Sequence, residues 1–374
     1  MSTGTASQRD GATPVVSVGL RGGKPREALP DATLDVGVRP VRGQPTLEMV
    51  AAVSGVSRST VSRVVNRSPN VRPEVVAAVQ RAIEELNYVP NRAARSLAGR
   101  HTYAIALLVP EDASRFFGDP YFASIVQGIT GALEASDYVL NLLVARDGPG
   151  GKTMRYLQGG NVDGALVVSH HSSNTDLREI NASLPVVFGG RPAVADIGPC
   201  YSVDVDNVGG ARLATRHLVA LGRRRIATVT GPLDMPAAVD RLAGWQQVLQ
   251  EAGRPVDAAV AGDFTTAGGA AAMHELLARV PDLDAVFVAN DLMARGALTV
   301  LTERGLDVPG DVALIGYDDS AAATSGSLPL STVSQPSISM GARMTEMLLE
   351  LLEGTEPENR ACVLQTRLVL RATA

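Results

Sequence analysis

The sequence predicts an all-α head joined by a linker to a larger α/β domain of two lobes, each built on a doubly wound parallel sheet. Three observations carry this. Between residues 46 and 87 the apolar side chains recur at helical spacing in three short runs. From residue 101 onward, short apolar strand-like runs alternate with amphipathic helix-like runs, the pattern of parallel sheets covered on both faces. The charge divides at the same place: residues 45–100 hold eight arginines (58, 63, 67, 72, 81, 92, 95 and 100) against Glu48, Glu74, Glu84 and Glu85, whereas the whole chain carries −5. A basic module on an acidic body suggests one part that touches a polyanion and one that does not.

Size and composition set the bounds. A chain of 374 residues has room for two or three domains, and 45% hydrophobic with 20% charged residues is the balance of a soluble globular protein. No apolar run approaches the roughly 18–20 residues of a membrane span. VVSVGL near the N-terminus is too short, and too closely flanked by Gly and Arg, for a secretory core. Two cysteines, Cys200 and Cys362, make no disulfide framework in a chain of this length, so a reducing cytoplasm is the expected compartment.

Residues 1–44, rich in Gly, Pro, Ser, Thr and Asp, lack sustained periodicity and read as a disordered arm. The first helix is expected from Thr46, as N-cap, through Leu47, Val50, Ala51 and Val53, with Gly55 breaking it. The second begins after Ser57 and runs to Val65; the third starts with Pro73 in its first turn and carries an apolar stripe of Val76, Val79, Ile83 and Leu86. Strands are expected at 103–109, 138–145, 164–169, 185–188, 225–230, 285–289 and 312–317, with helices such as FASIVQGITGALEAS, GARLATRHLVALG and GGAAAMHELLARV between them. This length suits two lobes, with a ligand in the cleft at the carboxyl ends of the strands.

The second helix of the head shows what the basic module is for. Val61, Val64 and Val65 fall on one side, where they can pack on Val50 and Val53; Arg58, Ser59, Ser62, Arg63 and Asn66 fall on the other. Guanidinium groups, an amide and short hydroxyls suit base edges and phosphates, and short side chains let the backbone approach a groove floor. Two helices joined by the SGVS turn make a helix-turn-helix whose second helix reads the major groove.

TLEMVAAVSGVSRSTVSRVVN followed by VRPEVVAAVQRAIEELNYVPNRAARSL resembles the DNA-binding module of the LacI/GalR family of bacterial repressors. The resemblance continues in family order through DPYFASIVQGI, VDGALVVS, DNVGGARLATRHLVALG, RRIATVTGP, DRLAGW, AVFVANDLMARGAL, VPGDVALIGYDD and STVSQP. It implies a helix-turn-helix domain at 45–90, a hinge helix and linker at 91–100, and a two-lobed, periplasmic-binding-protein-like domain for effector binding and dimerisation at 101–374. It places base reading on Arg58, Ser59 and Arg63, with Thr60, Ser62 and Asn66 near the DNA backbone. In the linker, Asn91 and Arg92 begin a helix that forms on operator DNA, and Leu97 matches the leucine that wedges into a minor-groove step. Arg72 departs from the family, which often has Ser or Thr there as a cap.

The same resemblance implies a small effector between the lobes, held by Phe122, Arg241, Asn290 and Asp318. Acid, amide and arginine at strand ends, with aromatic rings, suit polyol recognition. Phe264, and beyond it Trp245 or Phe116, can cover sugar faces. Gly190 stands where several sugar-binding relatives carry aspartate, which enlarges the cleft and leaves Arg191 to contribute. FFGDPYF, FGGRP and VDVDN resemble regulators of cellulose or other oligosaccharide use, favouring a disaccharide-sized ligand. A purine corepressor is the alternative within the family.

Other functions find little support. GPGGKT at 148–153 follows a strand, but a Walker motif needs glycine at 146, where Arg146 stands. His170 and His171 have no ligands at metal spacing and read as loop residues, and His217 reads as packed on a helix. No GxSxG elbow or catalytic carboxylate pair appears, so neither an enzyme nor a cofactor is expected. A solute-binding protein would have similar lobes but a signal peptide and no DNA-reading helix. The expected partners are double-stranded operator DNA, a sugar-like effector and a second copy of the chain. The chain ends on LQTRLVLRATA, without leucine heptads, so a homodimer rather than a tetramer is expected.

Overall fold

The computed structural model describes residues 45–65, 68, 70–89, 101–146 and 150–374. They fall into two compact units, a head within Met1–Val64 and Asn70–Tyr88, and a body that takes Val65–Pro69 and Val89–Ala374. The arm and hinge expected at 1–44 and 91–100 lie outside the described residues.

The head is three helices: α1 (Leu47–Ser54), α2 (Arg58–Val65) and α3 (Pro73–Leu86). Thr46 caps α1, its hydroxyl accepting from the Met49 amide, and Gly55 ends it with φ of 68°. That left-handed backbone suits glycine. The Ser57 hydroxyl accepts from the Thr60 amide at 3.2 Å and starts α2. Arg72 makes no capping hydrogen bond to α3, so that helix relies on Pro73 in its first turn. Val50, Val61, Val79 and Ala82 form the buried centre. Val53 corrects the expected packing: it is 47% exposed, because the two-turn α1 sinks only Val50 into so small a core.

In the first lobe of the body the strands are β1 (Ala104–Val109), β2 (Val139–Val144), β3 (Gly164–Val168), β4 (Val186–Gly189) and β5 (Tyr201–Val205). Around them lie α4 (Ala113–Gly118), α5 (Pro120–Leu133), α6 (Lys152–Gln158) and α7 (Leu177–Ser183). The second lobe takes α8 (Asn207–Ala220), β6 (Ile226–Thr230), α9 (Pro236–Glu251), β7 (Ala259–Ala261), α10 (Thr266–Arg279), β8 (Ala285–Val288), α11 (Asp291–Glu303), β9 (Ala313–Asp318), α12 (Ala321–Thr324) and β10 (Ser331–Ser334). The chain then returns for α13 (Ser337–Leu352) and β11 (Ala361–Leu364) in the first lobe, and ends with β12 (Arg367–Val369) in the second. Strand order is β11-β5-β4-β3-β1-β2 in one sheet and β12-β10-β9-β8-β6-β7 in the other. All pairings are parallel except β12 on β10, an antiparallel edge that the sequence reading did not foresee.

Both faces of each sheet are covered, which is why the central strands are apolar throughout. Ile105, Leu107 and Val109 face Phe122, Ile125 and Ile129, whereas Ala106 and Leu108 face Met154, Leu157 and Phe188. Glycine lets paired helices touch backbone to backbone. A Cβ on Gly128 of α5 would collide with the Ile338 carbonyl of α13, and one on Gly341 with the Ile125 carbonyl. The chain crosses between lobes three times, after β5, β10 and β11. At the crossing the Asp206 amide donates to the Leu364 carbonyl at 2.9 Å, and the Thr366 hydroxyl donates to the Asp206 carbonyl at 3.3 Å. Among the described residues no helix is long and apolar enough to cross a membrane.

Candidate functional site

Two surfaces carry the residues singled out from the sequence. On the head, Arg58, Ser59 and Arg63 are exposed along α2, while Thr60 and Ser62 are half-buried. Arg58 pairs with Glu48 of α1 at 3.1 Å. The Ser57 hydroxyl lies 2.8 Å from those of Ser59 and Thr60. The start of α2 is thus a cluster of short hydroxyls beside a guanidinium, with Val61 buried beneath it. Asn66, Asn91, Arg92 and Leu97 lie outside the described residues.

In the body a cleft between the lobes holds about 690 Å³ of space, part of it open to solvent. Phe122, Arg191, Arg241, Phe264, Asn290 and Asp318 all line it. Its centre is Arg241, 5% exposed. The Arg241 Nε donates to Asn207 Oδ1 at 2.9 Å, and one terminal nitrogen donates to the Ala289 carbonyl at 2.6 Å. That nitrogen also lies 3.8 Å from Asp318 Oδ1, and the guanidinium stacks 3.6 Å above the Tyr317 ring. The plane is held on three sides before any ligand arrives. One expectation is corrected here. Asn290 does follow strand β8 and Asp318 is the last residue of β9, but Arg241 comes from inside α9, whose early turns line the cleft.

Asn290 is already half-committed. Its Oδ1 caps α11 by accepting from the Met293 amide at 2.9 Å, and its Nδ2 donates to the Phe264 carbonyl at 3.1 Å. One amide hydrogen remains for a ligand. Phe264 sits at φ of 63°, with its ring laid against Gly231, where any Cβ would strike it. Phe122 is 1% exposed and packs 5.1 Å from Phe116. Trp245 is fully buried with Leu218, Leu249 and Ile315, so it belongs to the core, and Phe116 backs Phe122 without lining the cleft.

Two further carboxylates, with Asp318, shape the electrostatics. Burial raises the pKa of Asp119 and of Asp204, and it raises that of Asp318 well above the ordinary carboxylate range, against the pull of Arg241. Gln335 from the crossover after β10 donates to Asp318 Oδ1 at 2.5 Å. Asp119 caps α5, accepting from the Tyr121 amide at 3.0 Å. A cleft with this many acceptors around one arginine suits a neutral ligand rich in hydroxyl donors.

The lobes are tied across the cleft mouth. Arg191 spans it, its guanidinium 2.6 Å from Asp240 and its amide donating to Asp204 at 3.0 Å. Arg115 donates to the Asp263 carbonyl at 2.5 Å. His171 bridges Asp234 of the second lobe (2.9 Å from Nδ1) and Glu111 of the first (3.2 Å from Nε2). The hydrogen bond to Glu111, then that to Asp234, raises the His171 pKa. This tie is therefore fully present below the ordinary imidazole value of about 6.5 and is lost as pH rises through the higher folded value. The melting temperature of wild type should exceed that of His171→Gln most at pH 6, with the gap shrinking toward pH 9. A gap constant with pH would show that charge on His171 plays no part.

Several lining residues escaped the sequence reading. Asp119, Tyr121, Asp204, Asn207 and Gln335 stand inside quoted motifs (DPYF, VDVDN, STVSQP) but received no role there. Arg115 lay outside every motif, and His170 was read only as a loop residue. His170 is in the loop after β3, as read, but that loop lines the cleft: β3 ends at Val168, and His170 is 3% exposed there.

Residues 46–91 match the family model of bacterial regulatory proteins, lacI family, and residues 215–374 match that of a periplasmic binding protein-like domain. The chain is 46% identical to the HTH-type transcriptional regulator CelR of Thermobifida fusca, over 88% of this chain and 98% of that protein. It is 34% identical to the ribose operon repressor of Escherichia coli (strain K12), over 83% and 94% respectively. Among solved structures, the transcriptional regulator CelR–cellobiose complex superposes with a TM-score of 0.70 at 43% identity, covering 88% of this chain and 100% of that one. The lac repressor dimer bound to operator and the anti-inducer ONPF gives 0.77 at 31% identity, covering 88% and 99%.

Proposed function

The chain belongs to the LacI family of bacterial regulatory proteins, and on that footing we propose a repressor that binds operator DNA as a homodimer and takes a neutral, cellobiose-type sugar in its cleft. The observation that carries the sugar reading is the juxtaposition of buried Arg241 with Asp318, Asn207 and Asn290 beside Phe122 and Phe264. The arginine fork bridges hydroxyls, the carboxylate accepts from them, and the rings cover the apolar faces of a pyranose. DNA reading falls to Arg58, Ser59 and Arg63 on α2, with Thr60 and Ser62 beside the phosphates, and one such helix per protomer calls for a twofold-symmetric site. The effector acts by its differential affinity for the DNA-bound and free states.

The test begins with selection of an operator from random duplexes, followed by fluorescence anisotropy on that sequence. Saturating cellobiose should change operator affinity at least tenfold, and hypoxanthine or guanine should not. A response to the purine and none to cellobiose would move the site to another ligand class.

A further inference from the structure

His101, Thr102 and Tyr103 stand between the residues read as the linker, 91–100, and the first strand of the body, β1. One side chain holds them. That of Asp163, just ahead of β3, is 7% exposed, and its Oδ1 accepts from the Thr102 amide at 2.7 Å and from the Thr102 hydroxyl at 2.8 Å. Its Oδ2 accepts from the Tyr103 amide at 3.0 Å, and the Tyr138 hydroxyl donates to the same carboxylate. These donors fill the roughly four lone-pair sites that a carboxylate has. Tyr103 is held at φ of 51°, a left-handed backbone that a bulky side chain avoids unless its surroundings impose it. Its ring packs 6.1 Å from that of His101 and 5.6 Å from that of Tyr138.

The second lobe repeats the device without the linker. Asp284, just ahead of β8, accepts from the Arg224 amide at 2.6 Å and the Arg225 amide at 2.9 Å, and these two residues lead into β6. What comes before β6 is α8, part of the same lobe. What comes before β1 is the residues read as the linker and, ahead of them, the head. The same staple starts a strand in one lobe and, in the other, also fixes where the tether of the head meets the body.

The two strands that meet at Asp163 reach the cleft at their other ends. β1 and β3 pair in parallel, from Ile105 beside Gly164 to Leu108 beside Val167. β3 ends just before Ser169 and His170, which line the cleft, and the Ser169 hydroxyl donates to Glu111, beyond the end of β1, at 2.8 Å. At about 3.3 Å per residue these strands are struts of roughly 15–20 Å. With the carboxylate fixed to the strut, and the chain fixed to the carboxylate, the path from cleft to linker is contiguous and has no slack.

We propose that Asp163 is a positioning residue that ties the linker to the effector-binding lobe, through Thr102 and Tyr103, so that effector binding is felt at the operator. This rests on the operator and sugar readings above. Asp163 lies outside the cleft lining and acts only by fixing the tether.

Anisotropy on the selected operator, with and without saturating cellobiose, tests it, beside isothermal titration of cellobiose into the free full-length protein. Wild type should respond at least tenfold. Asp163→Ala should respond less than threefold while its affinity for cellobiose stays within twofold. Asp284→Ala removes the matching staple and should keep the tenfold response, even where its melting temperature falls as far. Thr102→Val removes one hydroxyl and keeps the shape of the side chain; it should lower the response at least threefold, and Thr102→Ser should keep it. A full response in Asp163→Ala or Thr102→Val would overturn the anchor. So would a cellobiose affinity that falls in step with the response, or an Asp284→Ala that loses the response equally. The threonine pair decides the matter if Asp163→Ala folds poorly. A wild type that binds no operator, or whose operator affinity cellobiose leaves unchanged, would instead overturn the proposed function, and the anchor with it.

Discussion

Arg241→Ala is expected to abolish the response to cellobiose while operator affinity stays within a few-fold of wild type. The guanidinium is committed to Asn207, Ala289 and Tyr317 in ways that fix its plane, which leaves its outer edge for ligand hydroxyls. Without it, each ligand acceptor it would have paired is buried unsatisfied, at about 1–3 kcal/mol apiece. A bidentate grip loses two such bonds, which is enough to take micromolar binding out of reach. The cost to folding is smaller than the usual 3–5 kcal/mol for breaking a buried ion pair. Asp318 sits 3.8 Å away, and its pKa is already raised well above normal, so it can neutralise by taking a proton. Removing the arginine removes its main stabiliser and pushes it further in that direction. Arg241→Lys should rescue folding but not the response, because an ammonium cannot present a planar fork. Anisotropy on the operator, with and without saturating cellobiose, reads both halves of the expectation. A variant that still responds at the wild-type concentration would take Arg241 out of the site.

The same residues show how far the sequence could be read. The central strands were legible because both faces of each sheet are covered, so AIALLV, GALVV and AVFV are apolar at every position. The strands that went unread lie at an edge of their sheet or one place in from it. YSVDV, STVS, ACVL and AVA owe their place to the neighbours they pair with, not to their own hydrophobicity. Thr46, Gly55 and Pro73 were legible as helix ends because each satisfies a backbone demand local to the chain. Arg241 was legible only through the DRLAGW motif, and its position on α9 rather than at a strand end was not. His170 shows the limit. It lines the cleft because β3 ends just before it, and nothing in the local sequence marks that strand end as a cleft wall.

Arg58→Ala should relax base specificity at one position in each half-site and leave the cleft unaffected. An arginine that grips a guanine edge through two hydrogen bonds contributes about 1–3 kcal/mol of discrimination, and a twofold operator counts it twice. The free head shows what competes. Arg58 is paired with Glu48 at 3.1 Å, and both side chains are largely exposed. Such a surface pair contributes little to stability and is screened by salt, so it yields readily to a base edge. Its role is to hold the side chain over the start of α2, beside Ser59, before DNA arrives. Glu48→Ala is the informative partner. It frees Arg58 and removes a negative charge from a face meant for phosphates, so it should strengthen binding to any duplex without changing which base is preferred. Arg58→Ala should do the reverse, losing the preference at its symmetric position while the salt dependence of binding changes only slightly. Selection from random duplexes with wild type and both variants gives the preferences directly. If Arg58→Ala recovers the wild-type bases at every position, the side chain serves the phosphates, and the reading of sequence passes to Ser59 and Arg63.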